Sequence, residues 1–527
     1  MASLGLSSYN ASMRIQRERL VALGLSVGAA LLTVIPYLLA NRLATPGIFT
    51  GFLINPLDGF SYLAKMREGA AGSWMFTLPY AADPGPGVYL YLYYLFLGHL
   101  AATFHLPLIV TFHIARVAAS ILMFYLAYLF YERVLEFPGW VWSAFFITVL
   151  GGGLGWLGLL VGIEGSDLAI PESIPLITAY TNAHFPLAAA AILGAALTCL
   201  TTYRCRWLEL IHGWLFGTLL VIVLPFSLLS IATVLFLWLM LEMYLKRERL
   251  RGFFSFFRLP GMVAALGFGL GALPWLVYNV ILVRRHPVIS IWTAQNQTPS
   301  PAVWSYLIGF GPLLLAALVG LVRGFPFSRR RTRFAAIWLL SNALLLYAPF
   351  SLQRRLSLGL YFPLVALAVL GLAVVFKPER MRTAVMVIII LCLPSSVLLA
   401  GAGIAGVQRG ERAVVFSDEE LDAYRWLETG VPAGSLILAG PRSGNRIPAF
   451  APLHVLYGHP FETPHADEME ALIYALSRGE DLDRLDELGV DYIFVDDEAP
   501  RVFQWETLAD SVYASETITI YQVIHDE

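Results

Sequence analysis

Charge is scarce in this chain. Only 14% of its 527 residues are Asp, Glu, Lys or Arg, where a soluble domain carries about 25%. Lysine is nearly absent, occurring only at Lys65, Lys246 and Lys377. Cysteine is limited to Cys199, Cys205 and Cys392, with no disulfide framework and no zinc-ligand spacing. These shortages exclude a soluble globular enzyme, a disordered protein and a nucleic-acid binder. What abounds is apolar: 58% of residues are hydrophobic and the mean hydropathy is +0.68. That composition describes a polytopic membrane protein.

The net charge of −2 conceals a division. Residues 410–527 hold 24 of the 37 acids but only 7 of the 35 Lys and Arg, a net of −17, which leaves +15 on the other 409 residues. The chain therefore reads as a basic membrane domain, 1–409, followed by an acidic water-soluble domain, 410–527.

A helix needs about 20 apolar residues to cross the hydrocarbon core. Twelve runs qualify as candidates: 20–40, 88–104, 107–130, 140–161, 184–202, 209–224, 226–245, 261–283, 303–322, 334–350, 359–376 and 384–404. The first follows Arg14, Arg17 and Arg19 and reads as a span, not as a cleaved signal. Cationic loops stay in the cytoplasm, and the strongest are Lys246–Arg258, Arg323–Arg333 and Lys377–Arg382. Placing these loops, Tyr203–Leu208 and the N-terminus on one side requires that one run before residue 200 does not cross. The short, aromatic-rich run 88–104 is the best choice and reads as a juxtamembrane or re-entrant helix. Eleven crossings remain, with the N-terminus cytoplasmic, the acidic tail extracytoplasmic and the plasma membrane as the expected location. Pro225 splits 209–245 into a hairpin.

The first outer loop then runs over 41–107. In it Leu57, Phe60, Leu63 and Ala64 recur at helical spacing, with Asp58, Lys65 and Glu68 off that face, so the segment predicts an amphipathic helix on the membrane. Asp58 sits in its first turn, where the helix dipole favours an anion. It reads equally as a helix cap. A second acidic loop contains Asp167 and Glu172 after a glycine-rich stretch, Gly151-Gly-Gly-Leu-Gly-Trp156. Two acidic loops facing one outer cavity would supply a general base and a site for a divalent cation such as Mg or Mn, with Asp58, Asp167 and Glu172 as its ligands. Both acids of the second loop also read as ordinary solvated carboxylates.

Cations on the outer side run against the positive-inside tendency. Lys65, Arg67, Arg284, Arg285, His286, Arg354 and Arg355 are the candidates to hold a phosphate. Anionic lipid headgroups would explain the arginines as well. Arg116 lies inside a span, where a packing partner or snorkelling is expected.

In the tail, 417–429 predicts a capped helix with Ser417 and Glu420 in capping-box spacing. Residues 435–439, 492–495 and 517–524 read as strands, 467–477 as a helix, and 441–463 as a loop-rich segment holding Arg446, His459 and Glu462. These three would complete a site or, equally, belong to a structural cap. The expected fold is thus an all-α polytopic membrane domain with a small α/β extracytoplasmic domain.

This organisation resembles the GT-C superfamily of integral membrane glycosyltransferases, among them the protein O-mannosyltransferases, the aminoarabinose transferases of lipid A and the oligosaccharyltransferase catalytic subunits. The residues that carry the resemblance begin with Asn55-Pro-Leu-Asp58, then Tyr62, Gly69 and Gly72-Ser-Trp74. They continue with Gly98-His99, Arg116 and the acidic loop Asp167–Glu172. The resemblance implies that Asp58 is the catalytic base and that the donor is a polyprenyl-phosphate sugar. It also implies transfer to a protein, lipid or glycan acceptor with inversion. Two departures are Gly59, where many relatives have a second acid, and Pro84-Gly-Pro-Gly87, which offers no match to a Gly-Lys-Pro-Pro-like lysine. Donor type and metal dependence therefore stay open. A transporter or lipid-linked-sugar flippase, and a non-catalytic member of the superfamily, are the competing readings.

Overall fold

The computed structural model describes residues 2–247, 253–323, 329–498 and 503–524. The middle of two basic loops, 248–252 and 324–328, lies outside the described residues. The chain divides into two compact units. One comprises Met1–Ile35, Ile114–Val277 and Thr298–Gly401; the other comprises Pro36–His113, Tyr278–Gln297 and Ala402–Glu527.

A helix covers, wholly or in part, each of the twelve apolar runs. Among the described residues, seven helices have the length and composition to cross a membrane, and Leu92–Phe104, Pro138–Leu150, His184–Leu200 and Tyr361–Val375 are shorter apolar helices. In the first unit, Tyr361–Leu372 is buried throughout and packs on Val303–Val322. Small residues allow the approach, as in membrane bundles generally: a Cβ on Gly371 would stand 1.8 Å from the Ala316 carbonyl oxygen. Val303–Val322 is kinked at Gly311, whose φ of 43° precedes Pro312. Pro225 separates Arg206–Val223 from Ser227–Leu245, the division expected from its ring. The run 140–161 behaves differently: its helix stops at Leu150, before Gly151, and only a short helix, Gly155–Leu159, follows. Arg116 is fully buried and has packing partners, donating to Thr33 Oγ1 at 2.9 Å and to the Ala179 carbonyl at 2.6 Å.

The second unit holds a two-stranded antiparallel sheet, β1 (Ile48–Phe49) with β2 (Val415–Phe416). It also holds a five-stranded sheet of β3 (Leu436–Ala439), β4 (His454–Val455), β5 (Tyr492–Val495), β6 (Ala509–Ala514) and β7 (Thr519–Val523). The order is β4-β3-β5-β7-β6. β3 runs parallel to β4 and β5, and β7 antiparallel to β5 and β6. Ser417 Oγ accepts the Glu420 N–H at 3.1 Å, capping the helix Asp418–Gly430 as its spacing predicts. The segment expected to be loop-rich differs: Pro441–Phe450 is a helix, with Gly440 as N-cap and Pro441 in its first turn. Its internal Pro448 is what masks it in the sequence.

The first-loop helix, Pro56–Ala70, is also not as expected. Phe60, Leu63, Ala64, Lys65 and Met66 are all buried, because Leu92–Phe104 and Pro441–Phe450 pack on it. Leu57 is exposed, but the rest of the helix's apolar face is covered by protein. The contact with Leu92–Phe104 turns on two glycines. A Cβ on Gly69 would lie 2.1 Å from the Leu95 carbonyl oxygen, and one on Gly98 would lie 1.9 Å from that of Met66. Backbone cannot yield at such distances as a side chain does. Gly98→Ala is expected to cost about 1–3 kcal/mol through overpacking, read as a lowered thermal midpoint in detergent. Nearby, Trp74 stacks on His99 with ring centroids 4.1 Å apart. Gly69, Trp74, Gly98 and His99 therefore form a packing joint.

Candidate active site

The first-loop helix presents Asp58, Ser61 and Lys65 at spacings of three and four, so they share one face. Its N-cap is Asn55, at φ 50°, followed by Pro56 at the first helical position. Asp58 is therefore not the cap. It stands in the first turn, where the backbone dipole favours its carboxylate.

The tail segment 458–463 meets this face. His459 Nε2 lies 3.1 Å from Asp58 Oδ1, while His459 Nδ1 accepts the Phe461 N–H at 3.1 Å. A ring nitrogen that accepts carries no proton, so the imidazole is neutral and its Nε2–H donates to the carboxylate. His459 is nearly buried, with a side chain 2% exposed, whereas that of Asp58 is 37% exposed. The arrangement holds one carboxylate in place and leaves it accessible.

Below it lies a buried ion pair. Lys65 Nζ is 2.9 Å from both carboxylate oxygens of Glu462 and 2.5 Å from Ser61 Oγ, and Ser61 Oγ donates to Glu462 Oε1 at 2.8 Å. The ammonium is enclosed by rings, standing 4.2 Å from the centroid of Tyr91 and 5.5 Å from those of Tyr62 and Phe76. Burial depresses the Lys65 ammonium from its ordinary range, opposed chiefly by the charge of Glu462. Burial pushes Glu462 upward, but the charge and hydrogen bond of Lys65 outweigh it and hold the carboxyl below the usual range. Glu462 is therefore a carboxylate at neutral pH. Tyr80 adjoins it, fully buried, with its phenol raised by burial and by the charge of Glu462. Glu68 is pushed up by burial, and Thr77 opposes this by donating both its N–H and its hydroxyl to Glu68 Oε1.

The other sequence candidates are placed variously. Arg67 pairs with Glu428 at 3.0 Å. Arg446 is buried against Phe416 and Phe60, where it pairs with Glu420 and donates to the Arg412 carbonyl. His286 is a helix cap: Nδ1 accepts the N–H groups of Val288 and Ile289, and Nε2 donates to the Pro86 carbonyl at 2.8 Å. Arg284 and Arg285 are exposed. Arg354 and Arg355 lie in the short 3-10 helix Gln353–Ser357, with Arg355 over the Phe226 ring at 5.4 Å.

In the first unit, Asp167 and Glu172 are buried, contrary to their reading as solvated loop acids. Asp167 Oδ2 accepts the Gly155 N–H at 3.0 Å, and a Cβ on Gly153, Gly155 or Gly165 would collide with its carboxylate. Gly153 and Gly155 of the glycine-rich stretch thus leave room for this acid, whose carboxyl burial pushes up, although hydrogen bonds from Ser395 and Gly155 oppose it. Among the described residues, no group of three or more His, Cys, Asp and Glu is placed to hold a metal ion. Of the expected divalent-cation set, Asp167 and Glu172 belong to the first unit and Asp58 to the second.

No protein-family model and no curated protein matches the sequence. Solved structures do share the fold. The oligosaccharyltransferase of Archaeoglobus fulgidus in its apo form aligns with a TM-score of 0.51 and 14% identity, over 91% of this chain and 69% of that one. The arabinofuranosyltransferase AftD from Mycobacteria aligns at 0.51 and 15%, over 97% of this chain. This chain spans only 40% of AftD. ArnT from Cupriavidus metallidurans in the apo state aligns at 0.50 and 14%, over 94% of this chain and 97% of that one. At these identities the likeness is one of fold, and it extends over nearly the whole chain. With seven helices of membrane-crossing length among the described residues, the chain is a multi-pass membrane protein that shares its fold with these three proteins, as the resemblance carried by Asn55–Asp58 and Gly98-His99 leads one to expect.

Proposed function

We propose that this protein is an inverting membrane glycosyltransferase. It moves a sugar from a polyprenyl-phosphate donor to a hydroxyl acceptor on the extracytoplasmic face. The observation that carries the reading is the Asp58 carboxylate, part-exposed at a helix N-terminus and fixed by a neutral histidine. The shared fold with three membrane glycosyltransferases supports the same class. The proposed topology has eleven crossings, a cytoplasmic N-terminus and the acidic tail outside, in the plasma membrane.

In the proposed reaction Asp58 takes the acceptor hydroxyl proton as the acceptor oxygen attacks the anomeric carbon. The bond from that carbon to the phosphate oxygen breaks on the opposite side, and its electrons leave with the polyprenyl phosphate. A base contributes about 10²–10⁴-fold to such a step. Lys65 and Arg67 are already engaged by Glu462 and Glu428, so the arginines Arg284, Arg285, Arg354 and Arg355 are the stronger candidates to stabilise the leaving phosphate. No step of this reading runs through a metal ion. The anomeric configuration of the product tests it: inversion relative to the donor is expected, and retention contradicts a single displacement.

His459 has a positioning role in this reading. His459→Ala is expected to lower kcat about 10²-fold, the cost of a displaced reacting group, with little change in KM. His459→Gln, whose amide N–H can donate where Nε2–H does, is expected to recover most of it. Equal losses in both variants would show that the ring serves only packing.

A further inference from the structure

At one end of the first unit a cavity of about 270 Å³ opens between helices. Arg19 in the middle of Ala2–Leu32, Arg133 in the last turn of Leu108–Val134, Tyr203 just beyond His184–Leu200 and His212 in the second turn of Arg206–Val223 line it. We infer that this pocket binds the headgroup of an anionic glycerophospholipid.

Its charges are unequally matched. Arg19 engages Glu132 with two nitrogens, Nη2 at 2.7 Å and Nε at 3.2 Å. That leaves Arg133, which is half-buried and whose guanidinium makes no hydrogen bond or ion pair among the described residues. Its carbonyl accepts from Arg331 Nη1 at 3.2 Å, which brings a further cation close to it, and the acid that acts on it, Glu132, is already engaged by Arg19. A partly desolvated guanidinium without a counter-ion of its own is costly, and a phosphate matches its fork of donors. The Tyr203 hydroxyl and His212 Nδ1, 3.1 Å apart, place further hydrogen-bonding groups on the same wall.

The occupant is a lipid because of what surrounds these groups. Leu126, Leu129, Leu197 and Phe216 add apolar lining, Glu132 also lines the pocket with its carboxylate held by Arg19, and the helix bearing His212 exposes Trp207 and Trp214. Aromatic residues of this kind belong at the membrane interface. A basic pocket between membrane helices, apolar on one side and polar at the helix ends, is the setting in which anionic headgroups bind. The site is independent of glycosyl transfer, and its test uses binding alone.

Native mass spectrometry of the delipidated full chain in detergent, titrated with phosphatidylglycerol or phosphatidylcholine, tests the inference. Wild type is expected to retain phosphatidylglycerol preferentially and to lose it as salt is raised. Arg133→Gln is expected to weaken this binding about tenfold, the loss of one charge-assisted contact, and Arg133→Lys to keep part of it. Equal retention of the two lipids by wild type overturns the inference even if Arg133→Gln does not fold. So does unchanged phosphatidylglycerol binding in a folded Arg133→Gln variant. If inorganic phosphate displaces the lipid at equal concentration, the pocket is a free-phosphate site and the lipid assignment falls.

Discussion

Glu462→Ala is expected to lower the stability of the second unit by about 3–5 kcal/mol, the cost of leaving a buried charge without its partner. The stranded group is Lys65, whose side chain has no exposure and whose ammonium is surrounded by Tyr91, Tyr62 and Phe76. Lys65→Met is expected to do similar damage by stranding Glu462. The double variant Lys65→Met/Glu462→Leu should recover much of the loss, because replacing both members of a buried pair with apolar groups is often neutral. Thermal midpoints of the three variants in one detergent check this, and strictly additive losses would contradict it. The pair also has a pH signature. Glu462 is held below its ordinary value, so its contribution is fully present above the unfolded carboxyl value of about 4.3. It is lost as pH falls through the lower, folded value.

Asp58→Asn is expected to reduce kcat by about 10²–10⁴-fold, the range of a general base, while the thermal midpoint stays close to wild type. The reason for the separation is exposure. Asp58 is 37% exposed at its side chain and accepts from His459, whereas the buried Lys65–Glu462 pair ties the helix to the tail. Asparagine keeps an oxygen for that hydrogen bond but cannot take the acceptor's proton. Donor affinity is expected to survive, since no phosphate contact is assigned to Asp58. Steady-state kinetics and calorimetry on the same preparation distinguish this outcome from simple misfolding, which would lower all three together.

The membrane helices were legible because each needs a long apolar run, and such runs survive inspection without any structural knowledge. Pro225 marked the break between Arg206–Val223 and Ser227–Leu245 for the same elementary reason. The helix at 441–450 was not legible, since Pro441, Gly444 and Pro448 all argue locally for loop. Tertiary packing overrides them there.

For the site, Asp58 could be singled out from its position after the first span, and His459 and Glu462 only as members of a polar stretch. What could not be read was their pairing. His459 and Asp58 stand 401 positions apart, and nothing in a single sequence links residues so distant. Ser61 was within reach, lying three residues after Asp58 and four before Lys65 on one helical face, but a lone serine carries little signal. Lys65 was expected off the apolar face among phosphate binders; the structure buries it, because Glu462 supplies the counter-charge that makes burial tolerable.

The measurement that tests the central claim most directly is transfer of radiolabelled sugar from a panel of polyprenyl-phosphate donors by the purified full chain, with folded Asp58→Asn beside it. The account predicts labelled product from wild type with at least one donor and almost none from the variant. Product formed equally by both, or by neither across the whole panel, would contradict it.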